Sequence, residues 1–243
     1  MFSQLLKKYS IFILGGLIFL SLGTYFFAGN TISEVLAVTI GPSFPTTEAG
    51  DASVGNKAWN TYTNAKVTDG IFDQVDLNDD DGEISNYLKV TGFNFAVPAG
   101  ATIKGITATV IRRSNEDTSS QHIVDNAVRL VKNNAIVGTD KRSTDHWPIV
   151  AAAKTYGSAS DLWGTTWTPA EVNNASFGLA ISAGPNRNES TAFIDSISLQ
   201  VEYDFSPNIT GLSPSVKTQG DPGFTLTVDG VNFVNGSAVR FDG

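Results

Sequence analysis

The sequence predicts an all-β protein: an antiparallel β-sandwich of jelly-roll-like pattern, preceded by an N-terminal hydrophobic helix. Three observations lead there. Short stretches alternate apolar and polar side chains, the period of a half-buried strand. Gly, Pro, Asn and Asp cluster between those stretches, as tight turns require. Amphipathic crossover helices, which a parallel sheet would need, are missing from the pattern.

The first element is the N-terminal segment, residues 1–37. Lys7 and Lys8 precede a run from Ile11 to Phe27 that contains no charge, the positive-then-apolar order of a signal sequence. As a helix the run would reach about 25 Å, a little short of a hydrocarbon core of roughly 30 Å. A cleavable signal peptide and a retained membrane anchor both fit that length. Val35-Leu36-Ala37 offers small or modest side chains where a signal peptidase would test them. The basic flank keeps the N-terminus cytoplasmic in either case. The body is therefore expected outside: on the extracellular side of the cytoplasmic membrane, at the cell surface, or secreted.

Residues 38–205 form the predicted sandwich domain. Its clearest strand is Thr191 to Tyr203. Phe193, Ile197, Leu199, Val201 and Tyr203 share one parity there, and Ser196, Ser198, Gln200 and Glu202 share the other, so the first set should face the core. Further strands are expected at Tyr87–Phe95, Ile103–Arg112, Asn126–Val131, Ile136–Val137 and Phe177–Ser182. Turns should fall at Pro98 to Gly100, Asn133-Asn134, Gly184 to Asn186 and the acidic loop Asn78–Glu83. Thr168-Pro169-Ala170-Glu171-Val172 reads as a capped helix start of about one turn. Composition changes at Phe205-Ser206-Pro207, which marks a domain boundary.

Beyond that boundary, residues 206–243 carry Ile209, Leu212-Ser213-Pro214, Gly220, the strand Phe224 to Val228, Gly230, Asn232-Phe233, and Val239 to Phe241 closing on Asp242-Gly243. In that order these features resemble the opening half of an IPT/TIG domain, a family found in cell-surface receptors, bacterial adhesins and sugar-active surface proteins. The resemblance implies a partial, truncated immunoglobulin-like domain. Such a fold needs seven or so strands, whereas this segment supplies about three, so either the intact protein is expected to continue past Gly243 or the tail is expected to pack poorly.

The central part carries Trp59-Asn60, Asn64-Ala65, Asp69-Gly70, Ser85 to Ile106, Asp125 to Lys132, Tyr156-Gly157, Asp161 to Gly164, Trp167-Thr168, Phe177-Gly178 and Asp195. As a combination these stretches resemble a poorly characterised β-sandwich domain of exported bacterial and phage-encoded proteins. That implies a surface or particle-associated module, with no catalytic residues to carry over.

Charge narrows the partners. The formal net charge is −8, and setting aside Lys7, Lys8 and Glu34 leaves 14 basic against 23 acidic side chains on the body. Nucleic acid repels such a surface unless a basic stripe overrides it. Arg112-Arg113 and Lys141-Arg142 are short pairs flanked by acids, read as solvated loop charges. The chain has no Cys, which removes disulfides, catalytic thiols, thiolate-bound zinc and the acylated Cys of a lipoprotein.

Four constellations could carry chemistry. The loop Asp76 to Glu83 offers clustered oxygens to a hard cation, and Asp76, Asn78 and Asp80, with Asp69 or Asp195 from elsewhere, make a candidate calcium set. An EF-hand register fails, because with Gly82 sixth the first and twelfth positions are Leu77 and Leu88. His122 and His146 have Ser120, Asp125 and Asp145 near them in sequence, but no Gly-x-Ser-x-Gly elbow is present. Their 24-residue separation matches no metal-ligand spacing. Paired carboxylates could hydrolyse glycosides at suitable separations, which sequence does not reveal. Among the aromatics Trp59, Trp147, Trp163, Trp167, Tyr62, Tyr87 and Tyr156, the pair Trp163 and Trp167 serves either as a sugar-stacking platform or as core.

The functional expectation is an exported binding or adhesion module at a cell surface or on a particle. It has no catalysis of its own, takes a glycan or a surface protein as partner, and touches the membrane through the N-terminal segment. An accessory region of a larger surface hydrolase and a structural stalk spacer are the other expectations.

Overall fold

The computed structural model describes residues 9–12, 24–26, 36–119, 121–185, 189–205, 207–218, 221–231 and 233. The chain divides into two compact units, Ala37–Asp204 and a smaller one comprising Met1–Leu36 with Phe205–Gly243. In chain order the strands are β1 (Tyr9–Phe12), β2 (Thr24–Phe26), β3 (Leu36–Ser43), β4 (Thr47–Asp51), β5 (Asp73–Asn78), β6 (Tyr87–Thr91), β7 (Thr102–Ser114) and β8 (Ile123–Lys132). There follow β9 (Ala135–Val137), β10 (Ala152–Ser158), β11 (Gly178–Pro185), β12 (Glu189–Phe205), β13 (Asn208–Ser213), β14 (Val216–Thr218) and β15 (Thr225–Val231). The all-β expectation holds: each ladder whose register is described is antiparallel.

The larger unit contains two five-stranded sheets. One has the order β10-β7-β12-β3, with β5 also pairing β12, and the other runs β4-β6-β11-β8-β9. Among its described residues the one α-helix, α1 (Pro169–Val172), is the single capped turn that the sequence predicts, and Thr168 and Glu171 form a reciprocal capping box there. The strand expected at Tyr87–Phe95 ends early, at Thr91. Gly92 and Asn94 adopt left-handed backbone conformations, φ 79° and 54°, which break an extended ladder.

Strands β3, β4, β5 and β10 lie outside the predicted set. In β5 the alternation Val75-Asp76-Leu77 is real, with Val75 and Leu77 buried and Asp76 exposed, but its acids make the stretch resemble a loop. In β10, Ala152–Ser158, only Tyr156 is buried, so the stretch has almost no apolar period to detect.

A larger correction concerns β12. The register slips between Ile194 and Ser196, a β-bulge that inserts one residue and inverts the facing of everything beyond it. Ala192 and Ile194 are buried before the bulge, and Ile197, Leu199, Val201 and Tyr203 after it. Phe193, expected in the core, therefore faces the other way and is only half-buried.

The two sheets are joined by a buried ion pair. Arg112 on β7 donates through Nη1 to Asp125 Oδ1 on β8, and both side chains are almost wholly buried. Charge in such a place needs replacement hydration. Asp125 also accepts from Trp147 Nε1 (2.8 Å), Tyr156 Oη (2.9 Å) and the Ser143 amide (2.8 Å). Tyr156 Oη in turn accepts from Arg112 (2.9 Å), and the guanidinium lies 4.9 Å from the Trp147 ring centroid. Burial, then the neighbouring Asp125 charge, pushes the Tyr156 phenol well above its ordinary value, so it stays a neutral donor.

The smaller unit pairs β1 with β15 and β15 with β13, and separately β14 with β2. Of the N-terminal segment expected to be helical, the described pieces Tyr9–Phe12 and Thr24–Phe26 are strands, and the rest lies outside the described residues. Among the described residues no helix is long and apolar enough to cross a membrane.

Asp125→Ala should lower the unfolding free energy by about 3–5 kcal/mol, because it strands a buried guanidinium. Replacing both partners, Arg112→Met with Asp125→Leu, should destabilise less than the single change. Urea unfolding of the two variants measures the difference.

Candidate binding face

The sequence favours no surface for aromatic recognition except Trp163 and Trp167, and both belong to the interior. Trp163 is 0% exposed and donates its indole N–H to the Ile106 carbonyl at 2.8 Å. Its backbone is left-handed, φ 57°, held by its amide bonding to Asp161 Oδ1 and its carbonyl accepting from Thr139. Beside it Gly157 has φ +71°, and a Cβ there would meet the Ile106 carbonyl oxygen at 2.3 Å, so only glycine fits. Trp167 is 7% exposed, donates to the Leu162 carbonyl and packs edge-on against Phe177 at 5.2 Å. Neither ring offers a face on which a sugar could stack.

The outward face of the β10-β7-β12 sheet does carry such a group. Because Arg112 points inward, alternation sends Arg113 outward, where it pairs in register with Phe193. The Arg113 guanidinium carbon lies 3.6 Å from the Phe193 ring centroid and 4.7 Å from that of Phe72. The two rings meet edge to face, 5.9 Å apart at 81°. Contacts this close hold the guanidinium against the two rings.

Phe72 is brought there by the loop of residues 66–72, which crosses the bulge. Asp195, the extra residue of the bulge, is buried and accepts from the amides of Asp69 (3.2 Å) and Gly70 (3.0 Å). Thr68 Oγ1 and Ser196 Oγ lie 2.7 Å apart, and Ile71 N donates to Asp69 Oδ1. The pinned loop leaves Val67 and Ile71 52% and 58% exposed. At the other side of β7, Ile149 and Val150 are also exposed, where Ser114 donates to the Pro148 carbonyl. Arg113, Phe72 and Phe193, with these apolar neighbours, place one cation beside aromatic and aliphatic surface on the outward face of the sheet.

The pairs Arg112-Arg113 and Lys141-Arg142 are thus not simply solvated loop charges. The two arginines lie on β7, one in the core and one in the outer stack, while Lys141 pairs with Asp161 at 2.6 Å. Arg142 lies 3.9 Å from Asp140.

The candidate calcium residues have other partners. Asp76 accepts from Thr191 Oγ1 at 2.7 Å. Asn78 caps the turn Asp79–Asp81 by accepting from the Asp80 amide, and Asp80 is exposed. Asp69 and Asp195 hold the pinned loop. Among the described residues no group of three or more His, Cys, Asp or Glu is placed to hold a metal ion.

His122 and His146, 24 positions apart, stack with ring centroids 3.5 Å apart at 14°, so linear separation was a poor guide to their neighbourhood. His122 Nδ1 faces the Thr118 carbonyl and His146 Nδ1 faces Asp117. Asp125 accepts from Arg112, Ser143, Trp147 and Tyr156, and Ser120 lies outside the described residues.

One carboxylate contact escaped the sequence. Glu48, on β4, has its carboxyl oxygens buried against Asp73 and the Ala65 backbone. Its neighbour is the carboxylate of Asp73, which is wholly buried and accepts from Thr61 Oγ1, the Thr63 amide and the Asn64 amide. Burial first, and then Asp73, push the Glu48 carboxyl up to about 8, with Lys66 opposing. A like charge beside a carboxylate disfavours its ionised form, which adds to burial in raising the Glu48 carboxyl.

No family model matches the chain, and no curated protein or solved structure matches it.

Two outcomes test this geometry. Asp195→Ala should cost about 1.5–3 kcal/mol, the worth of hydrogen bonds to a charged acceptor. It should also speed amide exchange at Asp69 and Gly70, whereas Asp195→Asn, which keeps an acceptor, should do less of both.

For Glu48 the folded pKa lies above the unfolded value of 4.5. The folded state therefore keeps a proton that the unfolded state releases. This contribution is full below pH 4.5 and is lost as pH rises to about 8. Urea midpoints across that range should show Glu48→Gln removing the decline.

Proposed function

We propose that the chain is an exported β-sandwich module of jelly-roll type that binds a glycan at a cell surface or on a particle, and that it has no catalysis of its own. The observation that supports this is the outward stack of Phe72, Arg113 and Phe193. A bulge and a pinned loop hold it on a sheet face, and exposed Val67 and Ile71 lie beside it. Bulges that re-aim a side chain are common next to functional sites. A rigid aromatic surface with one polar anchor is how a sheet face takes hold of a ring whose edges are polar and whose faces are not.

Export rests on Lys7 and Lys8 ahead of the uncharged run Ile11 to Phe27. The reading of the tail as part of an IPT/TIG-type domain rests on the Leu212-Ser213-Pro214 and Phe224 to Val228 features. The acidic body, with its Arg and Lys side chains dispersed, keeps nucleic acid from the list of partners.

The full chain should bind a subset of immobilised glycans or bacterial cell-wall fractions. Phe193→Ala should weaken that binding by about tenfold or more, as an anchor residue does, with little change in melting temperature. A wild-type chain that binds no glycan and no wall fraction overturns the reading.

A further inference from the structure

Within the outward stack, Arg113 differs from its fellow arginines. Arg112 has Asp125, Arg129 donates to the Gly138 carbonyl at 2.6 Å, and Arg142 donates to the Asn126 carbonyl. Among the described residues Arg113 alone of the arginines has no oxygen partner for its guanidinium. Both of its aromatic neighbours lie against the guanidinium carbon, the Phe193 ring centroid at 3.6 Å and that of Phe72 at 4.7 Å. The ring contacts leave its N–H groups without an oxygen partner, and the N–H fork of a guanidinium matches the two oxygens of a carboxylate.

We propose that the Phe72–Arg113–Phe193 stack is a binding site for a carboxylate-bearing sugar, a uronic acid residue of an oligosaccharide. This rests on the glycan-binding reading above and specifies it. The guanidinium edge takes the sugar carboxylate through two parallel N–H···O bonds. The C–H face of the pyranose ring lies over the ring edges of Phe72 and Phe193 and over Ile71, which is 58% exposed. The stack fixes the guanidinium before the ligand arrives, so little side-chain freedom is lost on binding.

The charge of the whole chain selects within the anions. At a net charge of −8, the surface repels a densely charged polymer, and a single unpaired arginine does not offset that repulsion. An isolated carboxylate on an otherwise neutral saccharide meets one local cation and little else. The fit is to a sparsely charged oligosaccharide rather than to a polyphosphate.

The test uses the full chain and short oligosaccharides that carry one galacturonate, glucuronate or mannuronate residue. Each is paired with its counterpart in which the carboxyl has been reduced to the alcohol. Titration calorimetry should show at least one acidic member bound about tenfold or more tighter than its reduced partner, the worth of a charge-assisted bidentate contact. That preference should shrink as salt rises.

Arg113→Gln should bring the acidic member to the affinity of the reduced one, and Arg113→Lys, which keeps charge but loses the fork, should restore only part. Equal binding of acidic and reduced members by the wild-type chain, lost in Phe193→Ala, overturns the carboxylate assignment and leaves the glycan reading standing. Binding of no saccharide overturns both. An acidic peptide bound in place of every sugar also overturns the assignment.

Discussion

The buried ion pair of Arg112 and Asp125 is the constraint around which the larger unit is arranged. A guanidinium and a carboxylate taken out of water persist only where opposite charge and hydrogen bonds replace the lost hydration. Here the replacements come from both sheets and from a loop: β7 gives Arg112, β8 gives Asp125, β10 gives Tyr156, and the segment before β10 gives Ser143 N and Trp147. Satisfying one charge therefore fixes the facing of β7. A slip by one residue would turn Arg112 to solvent and drive Arg113 into the core. The side chain that the core demands thus determines which side chain the surface receives.

The outer stack needs a second device, since Phe193 sits on a strand whose remaining apolar residues face inward. The bulge at Asp195 inverts the strand midway, so Ile194 and Ile197 can both be buried while Phe193 is turned out beside Arg113. The bulge residue is itself used, because the Asp195 carboxylate gathers the amides of Asp69 and Gly70 and so delivers Phe72. A local irregularity in one strand sets both members of the aromatic pair. The Glu48–Asp73 contact lies where β5 begins, and it makes the same region sensitive to the protonation of Glu48.

The all-β class, six of the larger unit's strands and the single capped turn of helix were legible, because alternation, turn residues and a capping box are local signals. Strands β5 and β10 were not, since the acids of the first imitate a loop and the second buries little besides Tyr156. The site was missed for a more specific reason. Parity was carried straight through Phe193-Ile194-Asp195-Ser196-Ile197, although apolar residues at 192, 194, 197 and 199 contain a gap of three where a regular strand has two. That gap was the readable sign of the bulge. Contacts between distant segments left no comparable trace: the stacking of His122 on His146 and the meeting of Glu48 with Asp73 are products of topology.

Strand β12 is 17 residues long, yet no single strand covers its flank opposite β7. Strand β5 takes the first part and β3 lies against another, with the bulge and the crossing loop near the join. The margin of that sheet is consequently shared between two strands, β5 and β3, rather than covered by one. A long, straight, unpaired margin is an invitation to add a strand from a neighbouring molecule. Dividing it leaves only short runs of backbone along that margin, a poorer template for an added strand.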